Sequence, residues 1–135
     1  MPIYRWTDRR WRHHDLNVGS ERLYHLALVK DWGLDASAEY DVSTVGRSLA
    51  DAGFIHCSFE HQVQRTADLL YRGRADVVLL EIDADRLVAP VRVESLDGGE
   101  AFPHIYGPLN RDAVIRALPL PLLDDGRLDV HAALG

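Results

Sequence analysis

The 135-residue sequence contains a single cysteine, Cys57, and no long apolar segment. One cysteine excludes an internal disulfide and a zinc ribbon, and it is typical of a protein from a reducing compartment. No apolar run approaches the roughly 20 residues of a membrane-spanning helix, and residues 1–20 lack the apolar stretch of a signal peptide. We therefore expect a cytoplasmic protein with no membrane partner.

The sequence also lacks an excess of positive charge. It has 15 lysines and arginines against 21 aspartates and glutamates, so its formal net charge is −6. A general binder of phosphate backbones is typically basic, and a nucleic-acid partner is therefore not expected. Hydrophobic residues make up 47% and charged residues 27%, which is ordinary for a globular chain and excludes a wholly disordered one.

The basic residues that are present concentrate at the N-terminus. Residues 1–20 contain four arginines, two histidines and two tryptophans. Such a run can bind nucleic acid or anionic lipid by charge and stacking, but this one is short and has no pattern. We therefore predict a loosely attached N-terminal basic extension, residues 1–20, followed by a single domain, residues 21–135, which is long enough for one core.

Hydrophobic patterning predicts many short strands. Residues 22–29 and 76–82 are apolar on both faces, as in buried strands, and the first is expected at the centre of a sheet. Further strands are predicted over residues 39–45 (or a loop), 54–58, 90–94, 102–109, 114–120 and 128–130.

One segment has the period of an amphipathic helix. Apolar side chains recur at helical spacing from Val63 to Tyr71, with Leu70 among them, and predict a helix over about residues 59–72. Ser58 is placed to cap this helix. Shorter helical turns are predicted over residues 30–38 and 48–53. Many strands with one main helix, without a repeated strand–helix alternation, indicate the α+β class.

Residues 101–110 contain two prolines, a glycine, a histidine and two aromatic rings without a helical period. The prolines restrict φ, so this segment is expected to be held in place. On a strand, His104 and Tyr106 leave the same face while Ile105 points to the other. This pattern predicts a pocket wall with apolar backing. The alternative is a proline-rich edge strand whose His104 and Tyr106 meet water.

Two further side chains on predicted strands have alternative interpretations. His25 lies within an apolar strand, and an unpartnered polar group in the interior costs roughly 1 to 3 kcal/mol. It must therefore face a cleft or bond a neighbouring carbonyl. Strand alternation points Cys57 away from His56 and toward the apolar side, so a cysteine nucleophile is not expected.

The order of these segments resembles a known family. The resemblance is carried by Tyr24-His25, Gly53 to Ser58 (GFIHCS), Tyr71 to Arg74 (YRGR), Arg92-x-Glu94 and Phe102 to Leu109 (FPHIYGPL). Together they are similar to the bacterial and plant family called domain of unknown function 952, over about residues 23–123. The N-terminal extension and extra residues around 40–47 depart from it. The resemblance implies an ADP-ribosyltransferase-like fold, with two small mixed or antiparallel sheets around a central cleft that binds NAD in enzymes of that fold.

This resemblance implies candidate roles. ADP-ribose transfer passes through a positively charged, sugar-like transition state, so it needs a ribose anchor, an aromatic surface for nicotinamide and a nearby carboxylate. By resemblance His25 is the anchor. Glu94 is the candidate carboxylate, although it does not correspond to the catalytic glutamate of typical enzymes of that fold, and His56 is a third candidate catalytic residue. The candidate residues for binding NAD as cosubstrate are His25, Ser58, Arg72, Arg92, Phe102, His104 and Tyr106. The arginines, with Arg74, would hold phosphates.

Two other functions stay open. A non-catalytic module would bind a nucleotide or a partner protein through the same cleft. Alternatively, His25, His56 and His104 with Glu94 would suit a divalent metal if their strands converge. Because no local spacing such as His-x-x-x-His supports a metal site, no metal is expected.

Overall fold

A computed structural model of the chain describes residues 21–33 and 39–135, together with the backbone of residues 4–5. The strands are β1 (Tyr4–Arg5), β2 (Arg22–Leu28), β3 (Val42–Thr44), β4 (Arg47–Ser48), β5 (Ile55–His56), β6 (Val77–Asp83), β7 (Val91–Glu94), β8 (Phe102–Ile105) and β9 (Val114–Pro119). The helices are α1 (Val29–Gly33), α2 (Leu49–Ala52), α3 (Glu60–Leu70) and α4 (Val130–Leu134), with 3-10 turns at Ala84–Arg86 and Arg111–Ala113.

The strands form small antiparallel sheets, and the predicted α+β class is confirmed. One sheet has the order β1-β7-β8-β5, the second has the order β2-β6-β9, and β3 and β4 form a hairpin. Every strand pair in the described residues is antiparallel. The predicted central position of residues 22–29 is wrong, because β6 lies between β2 and β9. All seven residues of β6 are buried.

The apolar character of both faces of β2 follows from two cores. Leu23 and Ala27 face the first core, which lies between the two larger sheets and includes Ile55 and Ile105. The opposite face of β2, with Leu26, packs against α3 and the C-terminal segment in a second core. Each fully buried leucine contributes roughly 1.5 to 3 kcal/mol by leaving water. The strand therefore needs apolar side chains at nearly every position.

The two larger sheets meet just after β5. Ile55 and His56 pair with Ile105 and His104 of β8. Two residues later, Ser58 forms a bridge with Tyr24 of β2, in which each N–H donates to the other carbonyl at 2.8 Å. The extended segment from Ile55 to Ser58 therefore pairs first with β8 and then with β2, and these two strands diverge beside His56.

The start of α3 differs from the prediction. Phe59 occupies the N-cap position, and its N–H donates to Gln62 Oε1 at 3.0 Å. The predicted cap, Ser58, is wrong, since its hydroxyl instead pairs with Thr66 Oγ1 at 3.1 Å. Leu70, predicted on the buried face, is 46% exposed because the helix ends there.

The C-terminal segment also differs from the prediction. The strand predicted at residues 128–130 is wrong, because Asp129 caps α4 by accepting from the Ala132 N–H at 2.9 Å. The predicted helical turn at 30–38 corresponds to α1, and residues 34–38 lie outside the described residues. The predicted extension, residues 1–20, also lies outside them except for Tyr4 and Arg5, which pair with β7. None of the helices in the described ranges has the length and apolar character needed to cross a membrane.

Candidate functional site

Six of the predicted site residues lie on one face of the four-stranded sheet. The register places His104 between Arg92 and His56, and Glu94 beside Phe102. The alternate residues, such as Ile105, point into the core between the sheets. We call the outer set the polar face, which consists of Phe54, His56, Arg92, Glu94, Phe102, His104 and Tyr106.

Aromatic contacts join the polar face across its strands. The rings of Phe54 and His104 are stacked with centroids 4.1 Å apart. The ring of His56 lies 5.2 Å from that of Phe102 and 5.4 Å from that of His104. This row of rings offers stacking surface for a planar group.

Glu94 accepts two side-chain hydrogen bonds on the polar face. His104 Nδ1 donates to Glu94 Oε2 at 2.8 Å, and the Tyr106 hydroxyl donates to the same oxygen. Because a carboxylate only accepts, the proton of the neutral imidazole is on Nδ1. The shared acceptor confirms that His104 and Tyr106 leave the same face. The edge-strand alternative is wrong, since β8 is an inner strand and His104 is 2% exposed.

The protonation states of this network follow from burial and hydrogen bonding. Burial acts to raise the pKa of Glu94, but the hydrogen bonds from Tyr106 and His104 outweigh it and hold the pKa below its usual value. Burial lowers the pKa of His104, although the bond to Glu94 opposes this. Burial and the same carboxylate raise the pKa of Tyr106 to about 12. Glu94 is therefore ionised near neutral pH, and its charge is committed to two protein donors.

Arg92 is the cation of the polar face. Its guanidinium carbon lies 4.9 Å from the centroid of the Tyr106 ring, within the range of a cation–π contact. Its Nε is buried and meets no hydrogen-bond acceptor in the described part of the chain.

His25 lies behind the polar face, where the sheets part. Its Nδ1 is 2.6 Å from the His56 carbonyl, and its Nε2 is 3.0 Å from the Tyr40 hydroxyl. The carbonyl only accepts, so Nδ1 donates and Nε2 accepts from Tyr40. Burial lowers the pKa of His25 to about 4, with the bond to His56 opposing it. Of the two alternatives for His25, the structure shows a core histidine bonded to a carbonyl.

A small pocket opens at this junction, and we call it the junction pocket. Its lining includes His25, His56, Ser43, Ser58 and Thr66, and its volume is about 10 Å³. The Ser43 hydroxyl accepts from the His56 N–H at 3.3 Å. A space of this size holds one water or one hydroxyl group.

His56 belongs to both the junction pocket and the polar face. Its ring has no hydrogen-bond partner within the described residues, in contrast with the rings of His25 and His104. Burial lowers the pKa of His56 to about 4, and repulsion from His104 and His25 in their protonated forms adds to this. The imidazole is therefore neutral near pH 7, and its nitrogens are available to a ligand.

The remaining predicted residues lie elsewhere. Arg72 is exposed and donates to the Asp125 carbonyl at 2.6 Å, so the structure does not bring it to the polar face. Arg74 forms a two-pronged pair with Asp76, at 2.9 and 2.7 Å. Cys57 is buried, and burial raises the pKa of its thiol, which disfavours a thiolate nucleophile.

The metal alternative requires three converging ligands. No group of three or more histidine, cysteine, aspartate or glutamate side chains in the described ranges is placed to hold a metal ion. Both ring nitrogens of His25 already have protein partners.

A larger cavity, which no sequence pattern predicted, lies beside the β3–β4 hairpin. Its volume is about 350 Å³, and we call it the basic cavity. The charged side chains that line it are Lys30, Asp31, Arg47 and Arg74. Except for the neighbours Lys30 and Asp31, these residues are far apart in sequence, and they form no motif. Thr44, which lines the junction pocket, and Val45, which lines the basic cavity, are consecutive in the chain.

Residues 29–117 match the profile of a family described as "Protein of unknown function (DUF952)". The chain belongs to this family. The matched region includes the whole polar face, whereas His25 precedes it. The family expected from the sequence is confirmed, while the ADP-ribosyltransferase-like fold stays a prediction.

Among solved structures, the chain is similar to protein CC0527 from Caulobacter crescentus. The crystal structure of CC0527 has a TM-score of 0.73 and 33% sequence identity, over 84% of this chain and 97% of that chain. Its solution NMR structure has a TM-score of 0.63 and 35% identity, over 84% and 98%. No protein with a curated description matches this chain. The likeness to CC0527 shows that the two proteins share this fold.

Proposed function

We propose that this chain binds NAD or a related ribonucleotide where its two larger sheets meet. The observation that carries the proposal is His56, a neutral histidine whose ring nitrogens have no partner in the described chain and which lines the junction pocket. The hydroxyls of Ser43, Ser58 and Thr66 surround the same space. Neutral imidazole and hydroxyl groups are suited to hydrogen bonds with the hydroxyls of a sugar.

The size of the junction pocket limits what enters it. A volume of about 10 Å³ accepts one hydroxyl group and excludes a whole sugar. In the proposed complex a ribose hydroxyl therefore enters the pocket, while the ring of the base lies outside. Tyr24 and Tyr71 line the pocket itself, and the polar face offers further aromatic surface beside it, where the Phe102 ring lies 5.2 Å from the His56 ring. A nicotinamide or adenine ring would stack there.

ADP-ribose transfer is the finer form of this proposal, and it rests on the family's resemblance to the ADP-ribosyltransferase-like fold. In that reaction the bond from ribose to nicotinamide breaks, nicotinamide leaves with the bonding electrons, and an acceptor bonds to the sugar. Glu94 is ionised, as a carboxylate near a developing positive charge should be. It is also bonded to His104 and Tyr106, which favours an electrostatic role over direct contact with the sugar. His25 would act through His56, because its own nitrogens are occupied.

The binding proposal is tested by calorimetry and thermal unfolding with NAD, ADP-ribose and nicotinamide riboside. A ligand at 100 times its dissociation constant adds roughly 2.7 kcal/mol to the native state. We expect His56→Ala to weaken NAD binding about tenfold, because it removes a hydrogen bond worth about 1.4 kcal/mol. His131→Ala, at an exposed histidine of α4, is the matched control.

Two outcomes discriminate among the functions. If neither NAD nor ADP-ribose binds, or if His56→Ala and His131→Ala bind NAD equally well, the proposal is wrong. Chromatographic detection of released nicotinamide would separate an enzyme from a binding module, since a module binds NAD and returns it intact.

A further inference from the structure

The basic cavity concentrates positive charge on an otherwise acidic chain. Three cationic side chains and one carboxylate line it, although the whole sequence has a net charge of −6. Its volume of about 350 Å³ lies within the roughly 300 to 1,000 Å³ that is typical of small-molecule sites. When Asp76, the partner of Arg74, is counted, three cationic side chains face two carboxylates, so a net positive charge remains that favours an anion over a cation.

The three cations keep donors for a ligand. Arg47 uses one guanidinium nitrogen to donate to the Asp51 carbonyl at 3.2 Å. Arg74 uses Nε and one terminal nitrogen on Asp76. The ammonium group of Lys30 has no acceptor in the described part of the chain. At least one N–H group of each side chain therefore stays available to a multiply charged oxyanion.

The wall of the cavity is held in place before a ligand arrives. Val45 and Gly46 form the turn of the β3–β4 hairpin, where Gly46 has φ of 77°, a value that favours glycine. The Tyr71 hydroxyl accepts from the Val45 N–H at 3.1 Å and donates to the Leu26 carbonyl at 3.2 Å. One side chain thus ties the hairpin to β2. A wall fixed in this way lowers the entropy lost on binding.

We propose that the basic cavity is a diphosphate-binding subsite, with Lys30, Arg47 and Arg74 as its donors. This subsite extends the proposed function, and its nucleoside part rests on that function. Neighbouring residues line the two spaces, since Leu26 and Thr44 line the junction pocket while Leu28 and Val45 line the basic cavity. A ribose hydroxyl at His56 and a diphosphate at Arg47 would belong to one ligand, a nucleoside diphosphate or a dinucleotide. The anion site itself needs neither the ribose nor the base.

Binding of inorganic pyrophosphate tests the diphosphate subsite by itself, since pyrophosphate has neither ribose nor base. We expect calorimetry at low ionic strength to show pyrophosphate binding that weakens steeply as salt is added. Arg47→Gln and Lys30→Gln should each weaken it at least fivefold. Arg86→Gln is the matched control, because Arg86 is exposed and pairs with Asp83 away from the cavity. Thermal unfolding of each variant checks that it folds as the unchanged protein does.

The outcomes separate this inference from the proposed function. Absence of pyrophosphate binding, or an equal loss in Arg47→Gln and Arg86→Gln, would overturn the diphosphate subsite. NAD binding that depends on His56 would still support the nucleotide proposal in that case. Conversely, pyrophosphate binding that depends on Arg47, without any NAD binding, would keep the subsite and overturn the proposed function.

Discussion

His25 joins the two larger sheets through a single imidazole. It donates to a carbonyl of β5 with one nitrogen and accepts from Tyr40 with the other. Strand pairing is interrupted beside His56. The His25 side chain therefore supplies the hydrogen bond to the His56 carbonyl that a backbone N–H of a neighbouring strand would otherwise make. Its neighbour His56 offers its carbonyl to His25 and keeps its ring for other contacts. His25 therefore stabilises the fold, whereas the ring of His56, its neighbour in space, is available to a ligand.

Removing the His25 side chain should destabilise the protein strongly. His25→Ala leaves the His56 carbonyl and the Tyr40 hydroxyl without partners and creates a cavity in the core, so we expect a loss of about 3 kcal/mol or more. Urea denaturation measures the change in the free energy of unfolding. His131→Ala, at an exposed position, should change it by less than about 0.5 kcal/mol. A loss below about 1 kcal/mol for His25→Ala would contradict the structural role.

The sequence predicts that His25 lies in an apolar strand but leaves its role open, for a physical reason. Its partners, Tyr40 and His56, are 15 and 31 positions away, and only the folding of the sheets brings them close. The pairing of His104 and Tyr106 on one face was predictable, because it needs only the alternation of a strand. Their common partner, Glu94, comes from β7 and was not predicted to bond to either.

Among the elements, β8 and the turn that follows it have little tolerance for added volume. A methyl group added at Gly107 would lie 2.7 Å from the Ala89 Cβ, which is far inside van der Waals contact. The backbone φ there is 156°. The segment that carries His104 and Tyr106 is therefore positioned by close packing against the turn before β7.

Gly107→Ala should cost roughly 1 to 3 kcal/mol of stability, through this overlap and through the strain of a side chain at φ of 156°. The Ala89→Gly change in the same chain should restore part of the loss, because it removes the methyl group that the new side chain meets. Gly33→Ala provides a control, since no atom lies within 4 Å of the position where its Cβ would be. Thermal unfolding of the three variants and the double mutant gives the coupling energy. Additive losses would show that the overlap is not the cause.

The β3–β4 hairpin depends on one hydroxyl group. Tyr71→Phe removes the acceptor of the Val45 N–H, and we expect a loss of about 1 to 2 kcal/mol with faster exchange of that amide. Hydrogen exchange followed by NMR measures the effect at Val45. Tyr24→Phe is a useful comparison, because its hydroxyl makes a longer bond of 3.4 Å to Glu60. Unchanged exchange at Val45 would argue that the hairpin is held by other contacts.

Strands and helices with a long hydrophobic pattern could be predicted from the sequence. Those whose start depends on a capping hydrogen bond could not. β2, β6 and α3 have long apolar patterns, and their positions agree with the sequence to within a few residues. The segment at 128–130 has a strand-like pattern, but the Asp129 carboxylate caps α4 instead. A local hydrogen bond from a side chain to the backbone thus outweighs a short hydrophobic pattern.

For the whole molecule, the buried histidines make stability depend on pH. The pKa of His25 and that of His56 fall from 6.5 to about 4 on folding. Between these values the unfolded chain binds protons that the folded chain does not, so stability decreases as the pH falls through this window. We expect a loss of a few kcal/mol between about pH 6.5 and 4, and little change from these groups above 6.5.

Urea denaturation at a series of pH values between about 4 and 7.5 tests this dependence. Glu94 contributes in the same direction only at the acidic end, because its pKa lies below its usual value of 4.5. A free energy of unfolding that stays constant from about pH 6.5 to 4.5 would contradict neutral, buried imidazoles at both positions.

The overall architecture could be anticipated from the sequence, whereas the basic cavity could not. Strand alternation and one helical period were enough for the α+β class. Lys30, Arg47 and Arg74 become neighbours only through the position of the hairpin against β2 and α3, which no local pattern encodes. A site assembled from single residues of separate elements has no characteristic spacing in the sequence, so it cannot be predicted from a motif.

The long separation between β2 and its partner has a consequence for synthesis. Leu28 lies opposite Val77, about 50 positions later in the chain. At roughly 5 to 20 residues per second, a ribosome needs about 2 to 10 s to make the intervening stretch. Throughout that interval the nascent apolar strand has no β6 to pair with, and its hydrogen-bonding groups face other chains. Protection by a chaperone during translation should therefore raise the yield of folded protein more than protection after release.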